Sequence, residues 1–250
     1  MKFLIHGAAG RMGVQVISAV QKNGHTVFAA VDPAFGQGVQ PSSDYPCYAS
    51  LDTCPAGADC IIDFSNHACT EALLDFAVSN NIPLVLATTG QTVAERAAIA
   101  AAAEKIPLFF AANYSLGVAL LIELAKKTAA AMPEAEIEII EKHHDRKIDA
   151  PSGTALAIAR AIQEVRPAAT VNCGRSGQGK RTPDEIGISA IRMGNIVGEH
   201  EVMIGTQNQT ITLKHEAHSR ALFAEGALAA AEFLCGKPAG LYDMTSLISF

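Results

Sequence analysis

Along the first half of the chain, short apolar runs alternate with amphipathic stretches. Lys2–His6 reads as a strand, followed at once by a glycine-rich turn and the periodic segment RMGVQVISAVQKN. Thr26–Val31 reads as a second strand ending at Asp32-Pro33, and ADCIIDFS (58–65) as a third, with a helical pattern to about Asn80. Residues 83–87 and 107–112 read as two further strands. Between them, Thr92-Val93-Ala94-Glu95 has the capping-box spacing that opens an Ala-rich helix. These apolar runs do not alternate in polarity, as befits strands covered on both faces. Strand and helix in regular succession predict βαβ units and a buried parallel sheet.

The texture changes after Asn113. Residues 116–132 form a long helical pattern, and from Glu136 the chain becomes strand-rich. EIEIIEKHH alternates charge with Ile, and ISAIRMG, EHEVMIG and QTITLKHEA read as antiparallel strands. A single helix, 152–165, interrupts them, and an Ala-rich helix, RALFAEGALAAAEFL, returns from about His218. The expected fold is α/β: an N-terminal Rossmann-type parallel sheet with a second α+β domain containing a mostly antiparallel sheet. The expected domains are 1–112, completed by 219–250, and 113–218.

Composition narrows the class. The chain has 250 residues, of which 49% are hydrophobic and 18% charged, enough to bury a sizeable core. Its net charge of −6 disfavours a nucleic-acid binder. The opening apolar run is broken by glycines before a signal-peptide core forms, and no stretch approaches a membrane span. The six cysteines show neither a CxxC pair nor a metal spacing with His, so they read as reduced structural thiols with no metal. A soluble cytoplasmic protein is expected. Charge is nonetheless partitioned: residues 1–112 carry five basic and nine acidic side chains, and residues 142–181 carry eight basic and three acidic. A basic cluster in an acidic protein fits a small anion better than a long polyanion.

Two segments carry chemistry. Gly7-Ala8-Ala9-Gly10-Arg11-Met12-Gly13 lies between a strand and a helix. A dinucleotide site needs glycine there for the tight turn, for close approach to pyrophosphate and for helix packing, and the helix amides then face the phosphates. The spacing is GxxGxxG, a variant of the usual fingerprint. Asp32 ends the next strand, where a carboxylate holds the adenine-ribose hydroxyls and repels a 2′-phosphate. Pro33 follows it instead of a cation, which leans toward NADH, while Arg11 keeps NADPH open. Two later strand ends, Ala87-Thr88-Thr89 and Ala111-Ala112-Asn113-Tyr114, fall where an open parallel sheet places its ligands.

The second segment is Glu141-Lys142-His143-His144-Asp145-Arg146-Lys147-Ile148-Asp149-Ala150-Pro151-Ser152-Gly153-Thr154-Ala155. Ser152 or Asp149 is placed to cap the helix that begins there, making an anion-binding terminus of Ser152, Gly153 and Thr154. Four basic or titratable side chains precede it, an arrangement suited to a small dicarboxylate. A nicotinamide enzyme reducing a C=N or C=C bond needs a proton donor, and His143 or Lys147 is placed to supply one.

GAAGRMG, HHDRKIDAPSGTA and RMGNIVGEHEV, with the intermediate TTG and AANYS turns, together resemble the bacterial dihydrodipicolinate reductase family over essentially the whole chain. The resemblance implies a two-domain enzyme of lysine and diaminopimelate biosynthesis. Such an enzyme reduces a cyclic dihydropyridine-type dicarboxylate with NADH or NADPH, as a homotetramer built through the substrate domain's sheet. By motif, Gly7, Ala8, Ala9, Gly10, Arg11, Met12, Asp32, Ala87, Thr88, Thr89, Ala111, Ala112, Asn113 and Tyr114 would touch cofactor. His143 would be the proton donor with Lys147 its catalytic partner, and His144, Lys147, Gly153 and Thr154 would bind substrate carboxylates. Many members place a basic residue after the ribose-binding acid, where Pro33 stands here. The alternative from another class is a non-catalytic NAD-responsive binding protein, which would keep the glycine turn and Asp32 but has no use for the His-Lys pair.

Overall fold

A computed structural model describes residues 1–39 and 42–248 of the protein. In chain order the regular elements are β1 (Lys2–His6), α1 (Arg11–Lys22), β2 (Thr26–Val31), β3 (Cys47–Tyr48), β4 (Cys60–Asp63), α2 (Thr70–Ser79), β5 (Leu84–Leu86), α3 (Val93–Ala103) and β6 (Pro107–Phe110). They continue with α4 (Leu116–Ala131), β7 (Glu136–His143), α5 (Gly153–Val165), β8 (Thr170–Cys173), β9 (Glu185–Arg192), β10 (Gly198–Thr206), β11 (Gln209–Ala217), α6 (Ala221–Leu234) and β12 (Gly240–Tyr242). The chain divides into two compact units, Met1–Ser115 with the segment from Ala221 onward, and Leu116–Arg220.

The first unit is built on a seven-stranded sheet of order β12-β6-β5-β4-β1-β2-β3, with every pairing parallel. The cores of β1, β4 and β5 are buried without alternation, as continuous apolar runs predict for a sheet covered on both faces. Strand order reverses between β1 and β4, and the crevice at such a switch point is where an open parallel sheet accepts its ligand. Helix α1 buries Gly13, Val16, Ile17 and Val20 at helical spacing. The capping box at Thr92 forms as its spacing predicts: Thr92 Oγ1 accepts from the Glu95 amide and Glu95 from the Thr92 amide.

The second unit is a five-stranded sheet of order β11-β10-β7-β9-β8. It is mixed: β10 runs antiparallel to β7 and β11, whereas β9 runs parallel to both β7 and β8. The antiparallel partnership expected for the ISAIRMG strand is therefore corrected. The chain leaves β7 through α5, and a helical crossover returns it in the same direction. Helices α4 and α5 pack on one face through Leu121, Ala125, Ile137, Ile139, Ile158, Ile162, Val202 and Ile204. Along β7, Ile137, Ile139 and Glu141 are buried in the same phase, so the alternation carries a carboxylate onto the core face.

Strands β3, β8 and β12 have no counterpart in the reading of the pattern. They are two to four residues long and contain no residue buried in a regular phase. All six cysteines are free, and no helix among the described residues is long and apolar enough to cross a membrane.

Candidate active site

In the first unit, Gly7 adopts φ +79°, and a Cβ there would lie 2.7 Å from the Phe64 carbonyl oxygen. A Cβ on Gly13 would stand 2.2 Å from the Gly7 carbonyl oxygen, so helix and turn touch backbone to backbone. Gly10 caps α1 and contributes no side-chain acceptor, leaving the first helical amides for a ligand. Arg11 opens the helix exposed to solvent, Met12 is half-buried and Ala8 is buried. Asp32 faces the turn: its Oδ2 accepts from the Ala9 amide at 3.1 Å and its Oδ1 from the Ala34 amide at 2.9 Å. Each oxygen keeps acceptor capacity for a ribose hydroxyl. A glycine cradle, uncapped amides and an acceptor-only carboxylate together fit a dinucleotide.

At the ends of β4 and β5 a cavity of about 240 Å³ is lined by Phe64, Ser65, Asn66, His67, Ala87, Thr88 and Thr89. Behind it lies a buried polar network that sequence reasoning missed. Asp63 Oδ1 accepts from the Ser65 amide at 3.2 Å and the Ser65 hydroxyl at 2.6 Å, and pairs with His6 Nδ1 at 2.8 Å. Its Oδ2 accepts from the Thr88 hydroxyl at 2.5 Å. Thr88 is thus held by the sheet, while Thr89 is exposed. Of the second strand-end turn, Ala111, Ala112 and Asn113 lie at partly exposed positions. Tyr114 is placed differently: it is buried, its hydroxyl donates to the Leu86 carbonyl at 2.9 Å with the Phe109 carbonyl at 3.1 Å, and burial pushes the phenol well above its ordinary range. Its ring belongs to the core of the sheet.

In the second unit the basic segment closes into one hydrogen-bonded assembly. His143 ends β7, and its Nδ1 lies 2.6 Å from Glu141 Oε2. Ser152, and not Asp149, caps α5: its Oγ accepts from the Ala155 amide at 3.2 Å. The Ser152 amide donates to Glu141 Oε1 at 2.9 Å. Gly153 and Thr154 form the first turn of α5, with Gly153 exposed and open space around its Cα. Lys147 pairs with Asp149 at 2.8 Å, and the half-buried His144 has a buried Nδ1 with no hydrogen-bond partner among the described residues.

Two further residues complete this assembly, and neither was singled out from the sequence for its role here. Arg192 at the end of β9 donates to both Glu141 oxygens, at 2.7 and 2.8 Å. His200, opposite Glu141 on β10, lies 3.0 Å from Ser152 Oγ through Nε2, and its ring meets that of His143 edge to face at 5.2 Å. Burial, with a smaller push from His143, lowers the His200 pKa to about 4. Burial also lowers His143 below the ordinary imidazole range, against the hydrogen bond and charge of Glu141, while Lys147 and Arg192 press the same way as burial. The signal available was phase: counting by twos from Ile137 lands on Glu141 and then His143. Such an assembly can position a proton at an imidazole beside an anion-binding turn.

Family models for dihydrodipicolinate reductase match nearly the whole chain, the N-terminal model over residues 1–114 and the C-terminal model over 117–248. A 4-hydroxy-tetrahydrodipicolinate reductase of Caldanaerobacter subterraneus subsp. tengcongensis is 43% identical, covering 99% of this chain and 98% of its own. One from Caulobacter vibrioides is 40% identical, covering 100% of this chain and 98% of its own. Among solved structures, a dipicolinate-bound dihydrodipicolinate reductase from Paenisporosarcina sp. TG-14 superposes with a TM-score of 0.83 at 25% identity, covering 100% of this chain and 99% of the other. A probable dehydrogenase from Thermotoga maritima, at 8% identity and a TM-score of 0.61, shares the fold.

Proposed function

The chain belongs to the dihydrodipicolinate reductase family, NAD(P)H-dependent oxidoreductases of lysine and diaminopimelate biosynthesis, and we propose how its own residues divide that work. The substrate is a cyclic dihydropyridine-type dicarboxylate, reduced to tetrahydrodipicolinate. The first unit holds the dinucleotide through residues 7–12, Asp32, Ala87–Thr89 and the 111–114 turn, with Tyr114 contributing backbone only. The second unit holds the substrate and carries the homotetramer contacts. The reaction takes place in the cytoplasm.

The single observation that carries the reading is the shared carboxylate of Glu141, which bonds His143 on one oxygen and the Ser152 amide on the other. One carboxylate of the substrate sits on the amides of Gly153 and Thr154, where the dipole of α5 favours negative charge. Lys147 and His144 face the remaining carboxylate charge. When bound, the reduced nicotinamide supplies a hydride. His143, with Nδ1 turned to Glu141, presents Nε2 as the acid that protonates the neighbouring ring position as negative charge builds there. Lys147 lowers the cost of that charge. NADH is the preferred cofactor, because Asp32 accepts hydroxyl donors and repels a phosphate, and Pro33 offers no cation to offset it.

The experiment is optical. NADH and NADPH oxidation are followed with substrate made in situ from pyruvate and aspartate semialdehyde by a dihydrodipicolinate synthase. Oxidation that depends on the synthase, faster with NADH, is the expected result. Intact NADH binding without oxidation would overturn the substrate assignment and leave a nucleotide-binding protein in its place.

A further inference from the structure

We propose that Glu141, clamped by Arg192, is the positioning residue of the reduction, fixing the His143 ring and the Ser152–Thr154 turn to each other through one carboxylate. This assignment rests on the reductase reading above and extends it to two residues that act through His143 and the Ser152 turn.

Glu141 is fully buried and accepts four hydrogen bonds, divided evenly. Oε2 takes His143 Nδ1 at 2.6 Å and Arg192 Nη1 at 2.8 Å. Oε1 takes the Ser152 amide at 2.9 Å and Arg192 Nη2 at 2.7 Å. Each oxygen therefore has one bond from the clamp and one from a working part of the site. The position is in phase with Ile137 and Ile139, where an aliphatic side chain would complete the core at lower cost than a desolvated ion pair. Stability alone gives no reason for charge at this point of the strand. Function does, because a carboxylate is the one side chain that can accept from an imidazole, an amide and a guanidinium together.

The geometry also fixes which nitrogen works. With Nδ1 committed to Glu141, Nε2 is the nitrogen turned away, and a Cβ on Gly198 would come within 3.1 Å of it. The charged and titratable groups around the ring are Glu141 on its own strand, Arg192 on β9, His200 on β10, and Lys147 in the following loop. Of these only Glu141 favours the imidazolium. Burial works to raise the carboxyl's own pKa, but the hydrogen bonds from Arg192, His143 and Ser152 together outweigh it and leave the group below its usual range. The carboxylate is ionised throughout the working range and acts on His143 as a fixed charge.

The test is an NMR titration of the His143 imidazole in the intact protein, with wild-type turnover measured alongside. Glu141→Gln is expected to lower the midpoint by about one pH unit. Its kcat falls roughly a hundredfold. Because the turn loses its anchor as well, binding of pyridine-2,6-dicarboxylate weakens about tenfold. Arg192→Gln removes a cation and is expected to move the midpoint upward. Opposite movements distinguish coupling through the carboxylate from general damage, which would shift both variants alike. If Glu141→Gln does not fold, the upward movement in Arg192→Gln carries the test. Midpoints unmoved, or moved together, with an active wild type would overturn the positioning role. An inactive wild type would instead strike the reductase reading.

Discussion

His6 and Asp63 stand opposite one another in the parallel register of β1 and β4, with Nδ1 and Oδ1 2.8 Å apart and both residues buried. They are the last residues of the two strands that flank the switch point, directly below the glycine turn. Asp63→Asn leaves at least one buried partner badly matched and is expected to cost about 1–3 kcal/mol of stability. NADH affinity falls with it, because one of Thr88 and Ser65 loses the acceptor that holds it. Urea unfolding and NADH fluorescence titration read the two effects. Wild-type values for this variant in both measurements would remove the network from the account of the cofactor site.

The close contact between Gly13 and Gly7 leaves no room for a methyl group. Gly13→Ala is therefore expected to weaken NADH binding by on the order of tenfold or more, by prising the helix from the turn. Calorimetric titration checks it, and pyridine-2,6-dicarboxylate binding to the second unit serves as the control.

In the proposed reading, cofactor choice turns on Asp32 and its neighbour. Pro33→Arg supplies a cation where a 2′-phosphate would lie and is expected to raise kcat/KM with NADPH about tenfold. The NADH value changes little. Equal changes with both cofactors would show that the ribose end is read elsewhere.

His143→Gln removes the proposed acid but not the turn. Turnover is expected to fall by about 10²–10⁴ with KM nearly unchanged. Lys147→Ala is expected to raise KM as well as lower kcat, since it takes charge from the proposed carboxylate site. Steady-state kinetics in the two variants separate the roles.

His200 makes stability depend on pH. Its folded pKa of about 4 lies below the ordinary 6.5, so between those values the unfolded chain binds a proton that the folded chain refuses. Stability is complete above about pH 6.5 and declines as pH falls toward 4, by roughly 3 kcal/mol from this group. The lowered His143 and His215 add to the decline in the same direction. Denaturant midpoints at about pH 7 and about pH 4.5 measure it, and His200→Asn should flatten the slope.

What local spacing could reach, it reached. The glycine turn, Asp32, the Thr92 cap and the His-Lys segment are all defined by residues close in sequence, and each sits where such spacing places it. His6 and Asp63 are 57 residues apart and meet through strand register, which no short window contains. Arg192 reaches Glu141 across 51 residues for the same reason. Glu141 was a different failure: in EIEIIEKH its charge reads as part of the polar face, although its phase puts it with the buried isoleucines. The parallel pairing of β9 with β7 was hidden because β8, the strand that accompanies the crossover, is short and exposed.

Helix α6 packs on α1 and on β4–β6, and β12 extends the first sheet beside β6. The nucleotide-binding unit is thus sewn shut by residues that leave the ribosome only after the whole of 116–220 has been made. A nascent chain reaching Phe110 has an open sheet edge and an uncovered apolar face, and it must keep both from foreign partners while the inserted unit is synthesised. Newly made protein therefore completes its 116–220 unit before its nucleotide-binding unit, and a chain stopped short of Ala221 retains a glycine turn on a sheet that cannot finish folding.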